Sequence, residues 1–145
     1  MDKIIEALKV SVRNTFAEML FLDVAEAAGE SIEGYSHILR LTVMEPEYLD
    51  LVLWLPLEIK KEIAETIYSK DWGDIADTEI DDCLLEILNV LTGNFLIEYA
   101  GPDVKYSISL PEILFDEDEL DKTGYTDIFF DAEDKLFKVS VAKKS

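Results

Sequence analysis

The longest helical pattern in the chain, DTEIDDCLLEILNVLTGNFLIEYA at residues 77–100, constrains the fold more than any other stretch. At about 100° per residue, Ile80, Leu84, Ile87, Leu88, Leu91 and Phe95 fall on one side of the helical wheel. A helix with such a face must bury it against another layer. Asp82, Glu86, Asn89 and Gly93 fall within roughly 60° of one another on the opposite side. This stripe differs from an ordinary solvated face. Asn89 and Gly93 are poor helix formers placed mid-helix. Cys83, Leu85, Val90, Leu96 and Ile97 flank the thin polar line with apolar side chains. The pattern predicts a surface that meets something.

The rest of the chain supplies the layer on which that helix packs. Residues 2–21 repeat Ile5, Leu8, Val12, Phe16 and Met19 at helical spacing, with Asp2 as the expected N-cap. Residues 22–34 read as a connection, given Ala27-Ala28-Gly29 and Gly34. YSHILRLTV at 35–43 and LDLVLWL at 49–55 read as a hairpin around Glu45-Pro46-Glu47. The second strand offers little polar face, which predicts a central place in the sheet. Pro56 opens a helix over 57–69 with Leu57, Ile59, Ile63 and Ile67 as its apolar side. After the long helix, capped at Asp77 or Thr78, Gly101-Pro102 marks the stop. VKYSISL at 104–110 alternates as a strand, and 111–115 reads as irregular or a short helical turn. DEDELD at 116–121 reads as a solvated acidic loop, strands follow at 125–131 and 135–142, and Lys143-Lys144-Ser145 as a frayed end. The expected architecture is an α+β domain: a mainly antiparallel sheet of about five strands with three helices packed against it. At 145 residues with 49% hydrophobic content, residues 1–145 read as a single domain with a sizeable core.

Composition narrows the function classes. The net charge is −19, from 32 acidic and 13 basic residues, a field that repels nucleic acid and anionic membrane. It suits a basic partner face, or solubility alone. Apolar runs are too short to span a bilayer, so no membrane insertion is expected, and MDKIIEALKV does not read as a signal peptide. The single cysteine, Cys83, fits a reducing compartment and a cytoplasmic location. With one cysteine and one histidine, His37, zinc-type ligand spacing is ruled out and no metal site of its own is expected. Neither phosphate-loop signature occurs. An enzyme built from this chain would supply positioning and one or two polar groups, and its substrate would bring the reactive group.

Asp82-x-x-x-Glu86-x-x-Asn89-x-x-x-Gly93 sets two carboxylates, an amide and a glycine along one helical ridge. With these spacings the chain resembles the CheX branch of the CheC/CheX/FliY chemotaxis phosphatases, whose signature is similar to [Asp/Ser]-x-x-x-Glu-x-x-Asn-x-x-x-Gly. VRNTFAEMLFLDV looks like that family's first helix, LPLEIKKEIAETIY like its second strand and helix junction, and SISLPEILF like its strand-then-proline segment. The likeness covers most of the chain and is weakest in the last third. Two departures stand out: the 45–48 turn lacks the family's glycines, and Leu88 replaces a small residue before Asn89, where its bulk is expected to narrow access.

The resemblance implies a phosphatase acting on the phospho-aspartate of a CheY-like response regulator. Asn89 would align water, and Glu86 would dock to the regulator's lysine. Gly93 would let the partner approach, Asp82 would orient the edge, and Leu85, Val90 and Leu96 would give apolar contact. The regulator would carry the Mg²⁺, so no cofactor of its own is implied, and a homodimer is compatible with the resemblance. The alternative is a non-catalytic CheX-like module that binds a phosphorylated regulator or a motility component. In the first helix, Ser11-x-x-x-Thr15-x-x-Glu18-x-x-x-Leu22 repeats the spacing with the wrong residues, so only one active site is expected.

Overall fold

A computed structural model describes residues 1–28, 34–121 and 123–144. Among these residues, three α-helices cover one face of a seven-stranded sheet: α1 (Asp2–Leu20), α2 (Leu57–Tyr68) and α3 (Asp77–Ala100). The strands are β1 (Val24–Glu26), β2 (Tyr35–Glu45), β3 (Leu49–Pro56), β4 (Ser107–Ile108), β5 (Glu112–Leu114), β6 (Thr126–Ala132) and β7 (Lys135–Lys143). Their order is β1-β6-β7-β3-β2-β4, with β5 also on β2, and every pairing is antiparallel. The α+β expectation holds, with seven strands in place of about five.

LDLVLWL is central, as its lack of a polar face predicted: β3 lies between β2 and β7. Period-2 alternation sends Leu51, Leu53 and Leu55 to the helix side, opposite Leu41, Leu39 and His37 of β2. Phe16 of α1 stacks on Phe137 of β7 at 4.7 Å between centroids, and Phe137 stacks on Phe130 of β6. These contacts seat α1 on the β6–β7 half. The β2–β3 turn contains a cis Glu45–Pro46 bond and no residue of positive φ, so it needs no glycine.

The opposite sheet face is also covered. Ile38, Val52 and Trp54 form a second, smaller apolar cluster with Leu114 and Leu120. Beside it Asp50 is buried, 1% exposed, at the second position of the otherwise apolar β3 run. Its carboxylate accepts from Arg40 (3.0 Å), Thr42 (2.7 Å) and Tyr125 (3.0 Å), and lies 3.7 Å from the Lys144 ammonium. These donors replace the water that burial removes. Burial, with the Asp50 charge behind it, pushes the Tyr125 hydroxyl up to about 12.

Several boundaries differ from the sequence reading. The 22–34 connection contains β1, which pairs with β6; Gly29 and residues 30–33 lie outside the described residues. The strand expected over 104–110 shrinks to Ser107–Ile108, and the expected irregular stretch after it holds β5. Both short strands use the same edge of β2, and Leu110-Pro111 between them is in neither, the proline having no amide to donate to a ladder. The acidic loop is tied down: the Glu119 carboxylate accepts from the Phe115 and Asp116 amides, and Leu120 is buried. Lys143 and Lys144 are not frayed. Lys143 pairs with Leu49, and the Lys144 amide donates to the Tyr48 carbonyl. Helix starts shift by one residue: Met1 and Ala76 occupy the N-cap positions, and the Glu79 carboxylate accepts from the Ala76 amide at 3.1 Å.

Candidate functional site

The ridge of α3 faces away from the core. Ile80, Leu84, Ile87, Leu88, Leu91 and Phe95 are all buried, as the wheel predicted. Asp82 and Glu86 are exposed, and Asn89 and Gly93 are half-buried along the same line. Among the described residues no hydrogen bond or ion pair engages the side chains of Asp82, Glu86 or Asn89. Polar groups used by the fold look different. Asn94, one position past the ridge, donates to the Thr15 hydroxyl at 2.9 Å and ties α3 to α1. Asp81, one position before it, accepts from His37 at 3.1 Å, and Lys60 reaches the other ring nitrogen at 3.2 Å. Burial lowers the Lys60 ammonium, and the nearby Asp81 and Asp77 charges oppose that effect.

These ties make α3 a rigid support. The Asp81–His37–Lys60 chain joins it to β2 and α2, and the Tyr68 hydroxyl donates to the Glu79 carbonyl at 2.9 Å. His37, the lone histidine, serves as the middle link. A site on an element held this way keeps its geometry without reorganising when a partner arrives.

Gly93 is not required by packing. A Cβ built on it would meet only the Tyr106 hydroxyl, at 3.7 Å, an ordinary contact distance. Tyr106 reaches this position because the chain reverses after α3. Gly101 adopts φ 98°, a left-handed conformation suited to glycine, and its amide closes on the Ile97 carbonyl at 2.9 Å. The segment then runs back to β4 at the sheet edge.

Leu85 and Val90 are half-buried beside the ridge and present apolar surface next to it. Leu96 does not: it is 0% exposed and belongs to the main core. Because α3 packs against both the sheet and α1, its buried arc is wider than a one-sided helix would have. Leu88 is likewise core, 1% exposed, so its bulk points inward and leaves Asn89 clear. Cys83 is buried too, and burial pushes its thiol up to about 11, out of nucleophilic range. In α1, Ser11 and Thr15 are buried: Ser11 donates to the Ala7 carbonyl, and Thr15 accepts from Asn94. That spacing reflects helix packing. Among the described residues no cluster of histidine, cysteine and carboxylate side chains is suited to hold a metal, and no helix is long and apolar enough to cross a membrane.

No family profile matches the chain, and no curated protein matches it by sequence. Solved structures do. The chemotaxis protein CheX from Vibrio vulnificus superposes with a TM-score of 0.77 at 12% identity, covering 97% of this chain and 99% of that one. A CheX from Desulfovibrio desulfuricans gives 0.76 at 10% identity, with coverage of 97% and 99%. A CheX from Borrelia burgdorferi, solved as a CheX–CheY–BeF3–Mg²⁺ complex, gives 0.73 at 15% identity and 97% of both chains. Over nearly its whole length, the chain has the fold of the CheX chemotaxis proteins.

Proposed function

We propose that this chain is a phosphatase that removes the phosphoryl group from the phospho-aspartate of a CheY-like response regulator. The observation that carries the reading is the pair Glu86 and Asn89: two accessible polar side chains on one ridge of a clamped helix, without a hydrogen-bond or ion-pair partner among the described residues. The likeness to a CheX solved with CheY and beryllofluoride supports the choice of partner. We read residues 1–145 as a single cytoplasmic domain with no cofactor of its own, and leave a homodimer as part of the proposal.

The chemistry suits so spare a site. An acyl phosphate is already activated, so what remains is to place a water in line with phosphorus. The Asn89 amide accepts from that water and holds it without changing its own charge at any working pH. Water attacks phosphorus, the bond from phosphorus to the aspartyl oxygen breaks, and carboxylate and inorganic phosphate leave. The regulator supplies Mg²⁺ and its own lysine. Glu86 pairs with that lysine and fixes the register. Gly93 admits the partner's backbone, Asp82 borders the edge, and Leu85 and Val90 give the contact its apolar part.

The test is the decay of phosphorylated regulator with and without the protein. Asn89→Ala should abolish the acceleration while its thermal unfolding matches the parent. Full acceleration by that variant sinks the mechanism. Phosphorylation-dependent binding with unchanged phosphate lifetime in the parent protein would establish the binding-module alternative instead.

A further inference from the structure

We infer that Tyr106 is a partner-contacting residue of the α3 site and helps set its specificity; this rests on the reading of the ridge as a receiver-docking surface. Tyr106 lies 13 residues beyond Gly93, outside the helical motif. Yet its hydroxyl stands 3.7 Å from the position a Gly93 Cβ would occupy. Gly93 follows Asn89 by one turn, about 6 Å along the axis. The phenol therefore stands over the gap that the glycine leaves, one turn from the residue proposed to hold water. It is 46% exposed, and among the described residues its hydroxyl has no hydrogen-bond partner.

Those facts argue against a packing role for the hydroxyl. Tyr68, Tyr99 and Tyr125 spend their hydroxyls on the fold, whereas among the described residues those of Tyr35, Tyr48 and Tyr106 make no hydrogen bond, and of these three Tyr106 is the one that stands at Gly93. Tyr106 presents a neutral group that both donates and accepts, on a two-torsion ring that loses little entropy on binding. With the carboxylate of Glu86 and the amide of Asn89 it gives the α3 surface three different polar chemistries. A receiver surface seated over Gly93 has to offer the Tyr106 hydroxyl a polar partner, backbone or side chain. A regulator with an apolar group at that place leaves the hydroxyl unpaired and binds less well.

The experiment uses the full chain and a CheY-like receiver domain activated with Mg²⁺ and beryllofluoride. Dissociation constants are measured for the parent protein and Tyr106→Phe, and KM and kcat are measured on phosphorylated receiver. Tyr106→Phe should weaken binding and raise KM about three- to tenfold, the range for one hydrogen bond. kcat should stay within about twofold, and the unfolding temperature should not move. An unchanged dissociation constant overturns the inference, as does a lowered unfolding temperature with unchanged binding. Asn89→Ala separates the two claims. If that variant is inactive while Tyr106→Phe binds like the parent, only the Tyr106 inference falls. If the parent binds the activated receiver without speeding decay and Tyr106→Phe binds more weakly, Tyr106 stands and the phosphatase reading falls. If the parent does not bind the activated receiver, both fall.

Discussion

Replacing Gly93 with alanine should stabilise the fold and impair the proposed activity, a combination that separates a contact site from ordinary helix packing. Gly93 is interior to α3, well before its end at Ala100. A glycine there costs roughly 0.8–1.0 kcal/mol relative to alanine, because it gives up more backbone freedom on folding. Nothing in the structure compensates: the added methyl would meet only the Tyr106 hydroxyl, at 3.7 Å, where contact is neutral to favourable. Gly93→Ala should therefore raise ΔG of unfolding by about 0.5–1 kcal/mol, and Tm by about 1–4 °C for a domain of this size. On the proposed reading, the same methyl stands where a phosphorylated receiver would approach. A contact overfilled by one methyl loses about 1–3 kcal/mol, so the acceleration of decay should fall at least fivefold. Urea unfolding gives the first number, and decay kinetics at sub-saturating receiver give the second. A stabilised variant with undiminished acceleration would refute the contact role of Gly93. A destabilised variant would show that the fold itself needs the glycine.

Two further expectations concern the fold. Asp50→Ala removes the acceptor for Arg40, Thr42 and Tyr125 at a nearly inaccessible position, leaving a guanidinium and two hydroxyls without their partner. It should cost about 3–5 kcal/mol, read by urea unfolding, and a loss below about 1 kcal/mol would contradict the assigned network. The Tyr99 hydroxyl donates to Glu47 and, with Lys143, holds that carboxyl below its ordinary value, while Glu47 raises Tyr99. A lowered carboxyl contributes stability that is present above its unfolded value near 4.3 and lost as pH falls through the lower folded value. The stability difference between parent and Tyr99→Phe should therefore be level at neutral pH and shrink below about pH 4; an unchanged difference at pH 3 would refute the assignment.

How each feature was or was not legible follows from the range of the interactions behind it. Helical period alone places Glu86, Asn89 and Gly93 on one ridge, because 3.6 residues per turn is a local property of the backbone. The same local logic located α2, β3, β6 and β7, and the short turns between strand pairs implied an antiparallel sheet. It failed at Leu96. A wheel shows angular neighbours, not how many layers pack on the helix, and α1 adds a second covering surface to α3. It also missed β1 and β5, three residues each, and drew β4 too long, because the strand character of such short segments comes from the edges they pair with.

By itself the sequence determined the layers: three helices with apolar faces, strand pairs to receive them, and a polar ridge with a glycine that helix propensity disfavours. Only the tertiary structure decided what that ridge has for neighbours. It left Glu86 and Asn89 without a partner among the described residues, turned Leu88 into the core, and brought Tyr106 over Gly93. It also covered Asp50, which strand alternation places with Val52 and Trp54 on the sheet face opposite the helices, and so buried it. Each of these depends on segments far apart in sequence meeting in space: the Gly101 reversal for Tyr106, and the return of Tyr125 and Lys144 across β3 for Asp50. Local periodicity carries no record of such meetings, because their free energy comes from packing and desolvation between elements rather than from the backbone of any one.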